Sequence, residues 1–388
     1  MFTVDLVSHI YPTKHDVSSG IFIQKEARLL AMQHKVNVWL PAVYALPWQQ
    51  QAKRSFNPVD EEFLVNRIKY LSVPRRKLPA FTIANLSRAL NRILSSSKSD
   101  IIHVHWLFPA GLCIPDIKQR LKKPIVLTLH GGDWYTNLNS GIDRMIADAL
   151  HQTDVVICVG NQLKKDVLVK FPSLSEKIVH IPHGIDCSVF QPVAEEAKMS
   201  LRKTLSWDLE SEHILCVANF YQEKGIELLV EAFSNISSKD QFHLHLVAPR
   251  RDRSIENKIQ TILTENGLNQ RASIYPSMSE SELVKRYQAA DFLVSPSRKE
   301  GFGLAIAEAI ACGLPVLATK SGGPEEIVTE DSGILVEANN IKALENGLKS
   351  MMNEYNEYSS SILHQSISNR FSLTSKLDAL TSIYRRLA

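Results

Sequence analysis

Residues 297–326 read SRKEGFGLAIAEAIACGLPVLATKSGGPEE, and the glycines and prolines in this stretch divide it into elements. The apolar run Asp291–Ser295 just before it predicts a strand. A loop follows, with Ser297, Glu300, Gly301 and Gly303. A helix then starts near Gly303 and carries Leu304, Ile306, Ala307, Ala309, Ile310 and Ala311, interrupted by Glu308. Pro315 opens a second strand over Val316–Thr319, and Ser321–Pro324 forms another glycine-rich turn. Glycines at a strand–loop–helix junction let backbone N–H groups come close to an anion at the positive end of a helix. Two such loops at the ends of neighbouring parallel strands face one crevice.

A carboxylate in the first loop and another on the helix behind it could hold hydroxyl groups. Phosphate plus hydroxyls suggests a nucleotide sugar. An ordinary buried helix with a hydrogen-bonded Glu308 would account for the same residues.

The stretch resembles the signature of glycosyltransferase family 4. That pattern is a Glu, then Gly-Phe-Gly, and a second Glu eight positions after the first, here Glu300, Gly301, Phe302, Gly303 and Glu308. Gly313, Pro315, Val316, Gly322, Gly323 and Glu326 match its later elements. The resemblance implies an α/β protein with the glycosyltransferase B fold, two Rossmann-like βαβ domains facing each other across a cleft. It also implies a retaining transferase that uses a nucleoside diphosphate sugar.

Composition fits that expectation. The chain has 388 residues, longer than one compact core usually supports, so two domains are expected. With 44 basic and 41 acidic residues, the net charge is +3, which rules out neither a nucleic-acid nor a membrane partner and by itself argues for neither. Five widely spaced cysteines with no CxxC pair read as reduced thiols of a cytosolic protein. The start, MFTVDLVSHIYP, reads as a first strand rather than a signal peptide. No uninterrupted apolar stretch reaches the roughly 20 residues that span a bilayer.

From the N-terminus, Phe2–Ser8 predicts a strand, Tyr11–Gly20 a loop, Ile21–His34 a helix and Val36–Leu40 a strand, the opening of a parallel sheet. Family resemblance places the Ser18–Gly20 turn, and so Gly20, on the acceptor side. Residues 41–98 are less regular. From Arg67 to Lys98 they hold eight basic residues and no acidic one. Ile83, Leu86, Leu90 and Ile93–Leu94 recur at helical spacing with Arg88 and Arg92 four apart. This basic amphipathic helix, preceded by a basic loop, could lie on an anionic membrane surface or be a solvated helix packed on the sheet. No interleaved aromatics favour nucleic acid.

Ile101–His105 predicts a strand whose His103 and His105 face one side, a geometry compatible with a metal. No carboxylate or cysteine accompanies them in a metal-site pattern, so zinc is not expected. Strand Pro124–Leu129 runs into His130-Gly131-Gly132-Asp133, which sets an imidazole at the rim of the sheet. The family has a histidine there, near the donor sugar, matching His130. Asn139–Leu150 and Asn161–Lys170 read as helices. Pro182-His183-Gly184 marks a domain boundary, with His183 a departure from the family's turn.

The βα rhythm then restarts. Lys224-Gly225 opens the helix Ile226–Phe233, and a lysine there opposes the helix dipole unless an anion sits between them. The family holds the donor diphosphate with an Arg and a Lys five apart. Lys224 matches the lysine, but the arginine position is Asn219, which can donate a hydrogen bond yet neutralises nothing. Arg250 and Arg251, after the strand Phe242–Val247, could supply the missing charge or be surface arginines, and the second reading is preferred. Ser279 with Glu282 forms a capping box, and Leu373–Leu387 resembles the family's terminal helix.

The implied domains are 1–182 for the acceptor, 183–370 for the donor, and a C-terminal helix within 371–388 that packs back on the first. The implied catalytic set is Glu300, Lys224 and His130. Donor contacts come from Asn219, Lys224, Glu300, Gly301, Phe302, Gly303, Leu304 and Glu308, and Gly20 and His130 lie on the acceptor side. No metal or cofactor is expected, because no Asp-x-Asp pair stands in a suitable loop. The acceptor would be a glycan or lipid-linked glycan of a cell-surface polysaccharide. The enzyme would be cytoplasmic, with possible peripheral attachment through residues 67–98. Three alternatives stay open: an epimerase or hydrolase on the same fold, a non-catalytic nucleotide-sugar-binding partner, and a membrane-binding structural module.

Overall fold

A computed structural model describes residues 1–13, 19–44, 65–73, 78–138, 140–236 and 241–388. Of the expected features, Ser18 in the turn before Gly20, Arg75, Arg76 and Lys77 in the basic loop, and Asn139 at a helix start lie outside the described residues. Two compact units divide the chain: residues 1–182 with 374–388, and 183–373.

The first unit is built on a seven-stranded parallel sheet. Its strands are β1 (Thr3–Val7), β2 (Lys35–Val43), β3 (Val65–Tyr70), β4 (Ile101–His105), β5 (Ile125–Leu129), β6 (Val155–Cys158) and β7 (Ile178–His180). Their order is β3-β2-β1-β4-β5-β6-β7. Strands β4, β5 and β6 are buried along their whole length, which is why β5 and β6 read as largely apolar runs, while β4 carries buried His103 and His105. At the edge, β3 alternates buried Ile68 and Tyr70 with exposed Arg67 and Lys69. Two members of the expected basic loop therefore belong to an edge strand, where charge discourages pairing with another chain.

The second unit repeats the plan. Strands β8 (Glu212–Val217), β9 (Phe242–Val247), β10 (Ala272–Tyr275), β11 (Phe292–Ser295), β12 (Val316–Lys320) and β13 (Gly333–Glu337) follow the order β10-β9-β8-β11-β12-β13. In both sheets the order reverses beside the first strand, between β1 and β4 and between β8 and β11. Open parallel sheets bind ligands at the carboxyl ends of the strands flanking such a reversal. The loops after β1, β4, β8 and β11 are thus singled out by topology alone.

Local chemistry explains most boundaries. The capping box at Ser279 and Glu282 forms as expected, ahead of the helix Glu280–Ala289. The helix expected from Asn139 begins instead at Asp143. Gly141 sits at φ 82° before it, and Asp143 supplies the negative charge that a first turn favours. A 3-10 turn, Gly111–Cys113, precedes the helix Ile114–Leu121, which carries Pro115 in its first turn. Among the described residues, no helix is long and apolar enough to cross a membrane.

The terminal helix Leu373–Leu387 is tied to the first unit by polar bonds across its buried face. Lys376 Nζ lies 2.5 Å from Glu26 Oε2, Thr381 Oγ1 lies 2.9 Å from His34 Nε2, and Tyr384 Oη lies 2.7 Å from His103 Nδ1. Both members of the Lys376–Glu26 pair are buried. Removing one partner from such a pair costs about 3–5 kcal/mol, because it strands the other charge.

Several histidines are buried neutral. Burial, then the neighbouring His105, pushes His103 down to about 3. Burial likewise pushes His213 down to about 4. In the unfolded chain these groups titrate near 6.5. Below that value the unfolded state binds more protons, so stability falls as the pH drops from about 6.5 towards 4. Each such histidine removes up to about 1.4 kcal/mol per pH unit in that window. Urea unfolding at pH 7, 6 and 5 should show this loss, with a shallower pH slope for His103→Gln than for the parent. Equal slopes would contradict the assignment.

Candidate active site

In the second unit, the loops after β8, β11 and β12 are joined by backbone bonds. Arg298 N donates to Glu223 O at 2.8 Å, which ties the β11 loop to the β8 loop. Glu300 N donates to Ser321 O at 3.0 Å, and Gly323 N donates to Glu300 O at 3.0 Å, which clasps the β11 loop to the β12 loop. The clasp requires a glycine at 323: a Cβ there would lie 2.1 Å from Phe302 O. Arg298 reinforces the first junction from its side chain. Its Nη2 lies 2.7 Å from Glu227 Oε1, its Nε donates to Asn339 Oδ1 at 2.9 Å, and its Nη1 donates to Gln222 O.

This scaffold brings Lys224 and Glu300 together. Lys224 Nζ lies 2.6 Å from Glu300 Oε2, and Ser297 Oγ donates to the same oxygen at 3.3 Å. Their side chains are 25% and 19% exposed, so the pair is only partly hydrated and stronger than a surface one. The anion that makes sense of a lysine at a helix start is thus a carboxylate of the chain itself.

Beyond Glu300, Gly301, Phe302 and Gly303 lead into the helix Leu304–Ala311, with Gly303 as its left-handed N-cap. Phe302 is buried, edge-on to His183 at 5.5 Å and to Phe371 at 5.5 Å. The contact gives His183 a packing role in the second unit. Among the described residues, the N–H groups of Phe302, Gly303 and Leu304 donate to no backbone acceptor. In the β12 loop, by contrast, Glu325 Oε2 accepts from Ser321 N at 3.1 Å and Gly322 N at 2.9 Å. The second glycine-rich turn therefore has its amides occupied, and the first is the one able to meet a ligand anion.

Glu308 lies one turn further along that helix and accepts from Tyr287 Oη at 3.1 Å. Burial, and then Glu308, raises the Tyr287 phenol well above its ordinary range. Tyr287 therefore stays a hydrogen-bond donor to the carboxylate. Asn219 Oδ1 accepts from Arg250 N at 3.0 Å, so its carbonyl pins the loop after β9. Arg251 is committed to Glu256 at 2.9 Å. Arg250 is exposed.

In the first unit, Gly20 caps the helix Ile21–Ala31 at φ 70°, and a Cβ there would lie 2.8 Å from Ile10 O. Phe22, two residues on, packs against His130 with ring centroids 5.0 Å apart, and Trp106 packs on His130 at 4.4 Å. Gly20 and His130 are thereby brought to the same region at the reversal beside β1. Asp133 organises the turn: its Oδ1 accepts from His130 N at 2.9 Å and its Oδ2 accepts from Leu107 N at 2.8 Å.

Behind His130 lies a group that sequence spacing could not reveal. Glu26, from the helix Ile21–Ala31, comes within 3.2 Å of His105 Nε2 and 3.8 Å of His103 Nδ1. These three could be ligands by type. Lys376 already lies 2.5 Å from Glu26, while His103 is engaged by Tyr384 at 2.7 Å and by Thr128 at 2.7 Å. A cation would have to displace an ammonium already in place, so these residues do not fit a metal. Burial alone would push the Glu26 carboxyl up, but Lys376, then His105 and His103, outweigh it and hold the group well below the usual range.

The comparisons with known proteins agree with this architecture. Residues 21–189 match the Glycosyltransferase Family 4 model, and residues 198–364 match the model for Glycosyl transferases group 1. The chain belongs to the group 1 glycosyltransferases. It is 30% identical over 268 residues to N-acetyl-alpha-D-glucosaminyl L-malate synthase of Bacillus anthracis, covering 67% of this chain and 66% of that one. Sucrose-phosphate synthase of Thermosynechococcus elongatus shares its fold with a TM-score of 0.81 at 22% identity, over 100% of this chain and 99% of that one. Anabaena HepE, solved in complex with UDP-glucose, does so with a TM-score of 0.76 at 16% identity, over 100% of both chains.

Proposed function

We propose that this glycosyltransferase is a retaining enzyme that moves a sugar from a nucleoside diphosphate sugar to a glycan or lipid-linked glycan of a cell-surface polysaccharide. The observation that carries the reading is the Lys224–Glu300 pair at 2.6 Å, set beside the amides of Phe302–Leu304. HepE's complex with UDP-glucose gives the donor class a precedent on the same fold.

The diphosphate would meet the amides around Phe302–Leu304 and take Lys224 from Glu300. Glu300, released, would accept hydroxyls of the transferred sugar. Glu308 would accept those of the ribose. The bond from the anomeric carbon to the phosphate oxygen breaks as the acceptor oxygen bonds to that carbon from the same face. The acceptor's proton passes to the departing phosphate oxygen. Lys224 stabilises the charge growing on that phosphate. Asn219 would add a hydrogen bond, and Gly20 and His130 are assigned to the acceptor. With no Asp-x-Asp loop in the sequence, no metal is assigned.

A donor panel scored by thermal shift tests this: UDP-glucose, UDP-galactose, UDP-N-acetylglucosamine, GDP-mannose and ADP-glucose. At least one should raise the melting temperature. Glu308→Ala and Lys224→Ala should each weaken that donor by about tenfold or more, the loss expected for a charged hydrogen bond. Lys224→Ala should also slow transfer by roughly 100-fold. Parent-like binding in both variants would refute the placement of the diphosphate. Sugar turnover without an acceptor would favour the epimerase or hydrolase, and binding without any transfer the non-catalytic partner.

Attachment to an anionic membrane surface is proposed with it. The helix Pro79–Leu94 buries Ile83, Leu86, Leu90 and Leu94. Its exposed Arg88 and Arg92 line one groove with Arg120. Leu71, Leu78 and Phe81 are exposed around its start, an apolar complement to the basic face. Sedimentation with vesicles should pellet the protein when phosphatidylglycerol is present, and Arg88→Glu with Arg92→Glu should abolish that. Equal pelleting with neutral vesicles would contradict it.

A further inference from the structure

The line of side chains behind His130 has no part in the chemistry assigned so far. It runs from Lys376 Nζ to Glu26 Oε2 at 2.5 Å, from Glu26 Oε1 to His105 Nε2 at 3.2 Å, and from His105 Nδ1 to His130 Nε2 at 3.1 Å. Four elements contribute: the terminal helix, the first helix, β4 and the end of β5. Glu26, His103 and His105 are fully or almost fully buried.

Charge balance and donor counting at His105 fix which edge of His130 carries a proton towards it. Lys376 already neutralises Glu26, so a proton added to His105 would leave an uncompensated charge in a dry interior. His105 is therefore neutral, with a single N–H. Were that N–H on Nδ1, the bare Nε2 would face the Glu26 carboxylate, lone pair against lone pair. The N–H is on Nε2, the edge that lies 3.2 Å from Glu26 Oε1, as a bent charge–dipole contact rather than an aligned hydrogen bond. Nδ1 of His105 is then an acceptor only, and the 3.1 Å contact requires His130 to donate its Nε2–H.

We propose that His105 is a positioning residue that fixes His130 in the Nε2–H tautomer and sets its ring plane, with Lys376 and Glu26 keeping His105 neutral. His130 Nδ1, which is buried, is then the acceptor edge of the ring. The functional part of this inference rests on the assignment of His130 to the acceptor side. The proton arrangement does not.

Nitrogen-15 histidine spectra of the full chain read the tautomers directly. His105 and His130 should both show the neutral Nε2–H pattern. In Lys376→Met, Glu26 loses its counter-ion, so His105 should become doubly protonated and His130 should shift to the Nδ1–H form. A doubly protonated His105 or an Nδ1–H His130 in the parent overturns the proposal, even if the lysine variant does not fold.

Kinetics supply the second readout, as nucleoside diphosphate released from the five-donor panel with a lipid-linked disaccharide as acceptor, above the rate without it. His105→Leu should lower kcat by about 10- to 100-fold with little change in donor KM, the range seen for outer-shell partners. His105→Asn, which can place an acceptor where Nδ1 was, should recover part of that loss. Thr128→Val, which breaks an equally buried bond to His103, should keep parent activity. Loss in His130→Ala with none in His105→Leu overturns the positioning role and leaves the transferase reading standing. Full activity in His130→Ala removes the footing of the functional part and contradicts the acceptor-side assignment.

Discussion

A lysine just ahead of a helix N-cap faces the positive end of the backbone dipole, and Lys224, which ends the 3-10 turn Gln222–Lys224 before Gly225, is held there by Glu300 at 2.6 Å. The pair links two loops that lie 76 residues apart in sequence. Neither loop could hold it alone. The β8 loop is fixed by the Arg298–Glu227 ion pair, and the β11 loop is fixed by the backbone clasp to Ser321 and Gly323. Charge placement in the second unit thus depends on a three-loop scaffold built at the reversal of strand order. In the proposed reaction the ion pair is a resting state, and each partner exchanges the other for a group of the donor.

The two units solve the same problem with different chemistry. At the first reversal, the His130 imidazole is held by aromatic faces and by a buried line that ends in one ion pair. At the second, full charges are kept partly hydrated. A buried ion pair with few other partners stabilises little, and losing one member is expensive. The Lys376–Glu26 pair therefore makes docking of the terminal helix a condition for an intact first unit. The Lys224–Glu300 pair, partly exposed, can open without such a penalty.

The repeated strand–loop–helix pattern was legible because parallel strands buried on both faces leave mostly apolar runs, as Ile125–Leu129 and Phe292–Ser295 do. The capping box at Ser279 was legible because its two members sit three residues apart. Glu300, Gly303 and Glu308 stood out because one short motif carries them all. What escaped sequence reading is set by distant pairing. Glu26 meets Lys376 across 350 positions, so the carboxylate beside His103 and His105 left no local trace. Arg298 gave no signal either, since its partners come from a distant helix, at Glu227, and a distant turn, at Asn339. Within the Gly-Gly turn, it is Glu325, rather than the motif's Glu326, whose carboxylate holds the amides of Ser321 and Gly322.

Calorimetric titration with UDP, GDP and ADP tests the partner exchange most directly, because these ligands bring the diphosphate without the sugar. In their presence Glu300 is only a competitor for Lys224. The nucleotide that binds the parent should bind Glu300→Gln several-fold more tightly, and Lys224→Met about tenfold more weakly. Binding to Glu300→Gln as weak as to Lys224→Met, or unchanged binding in both, would contradict the account.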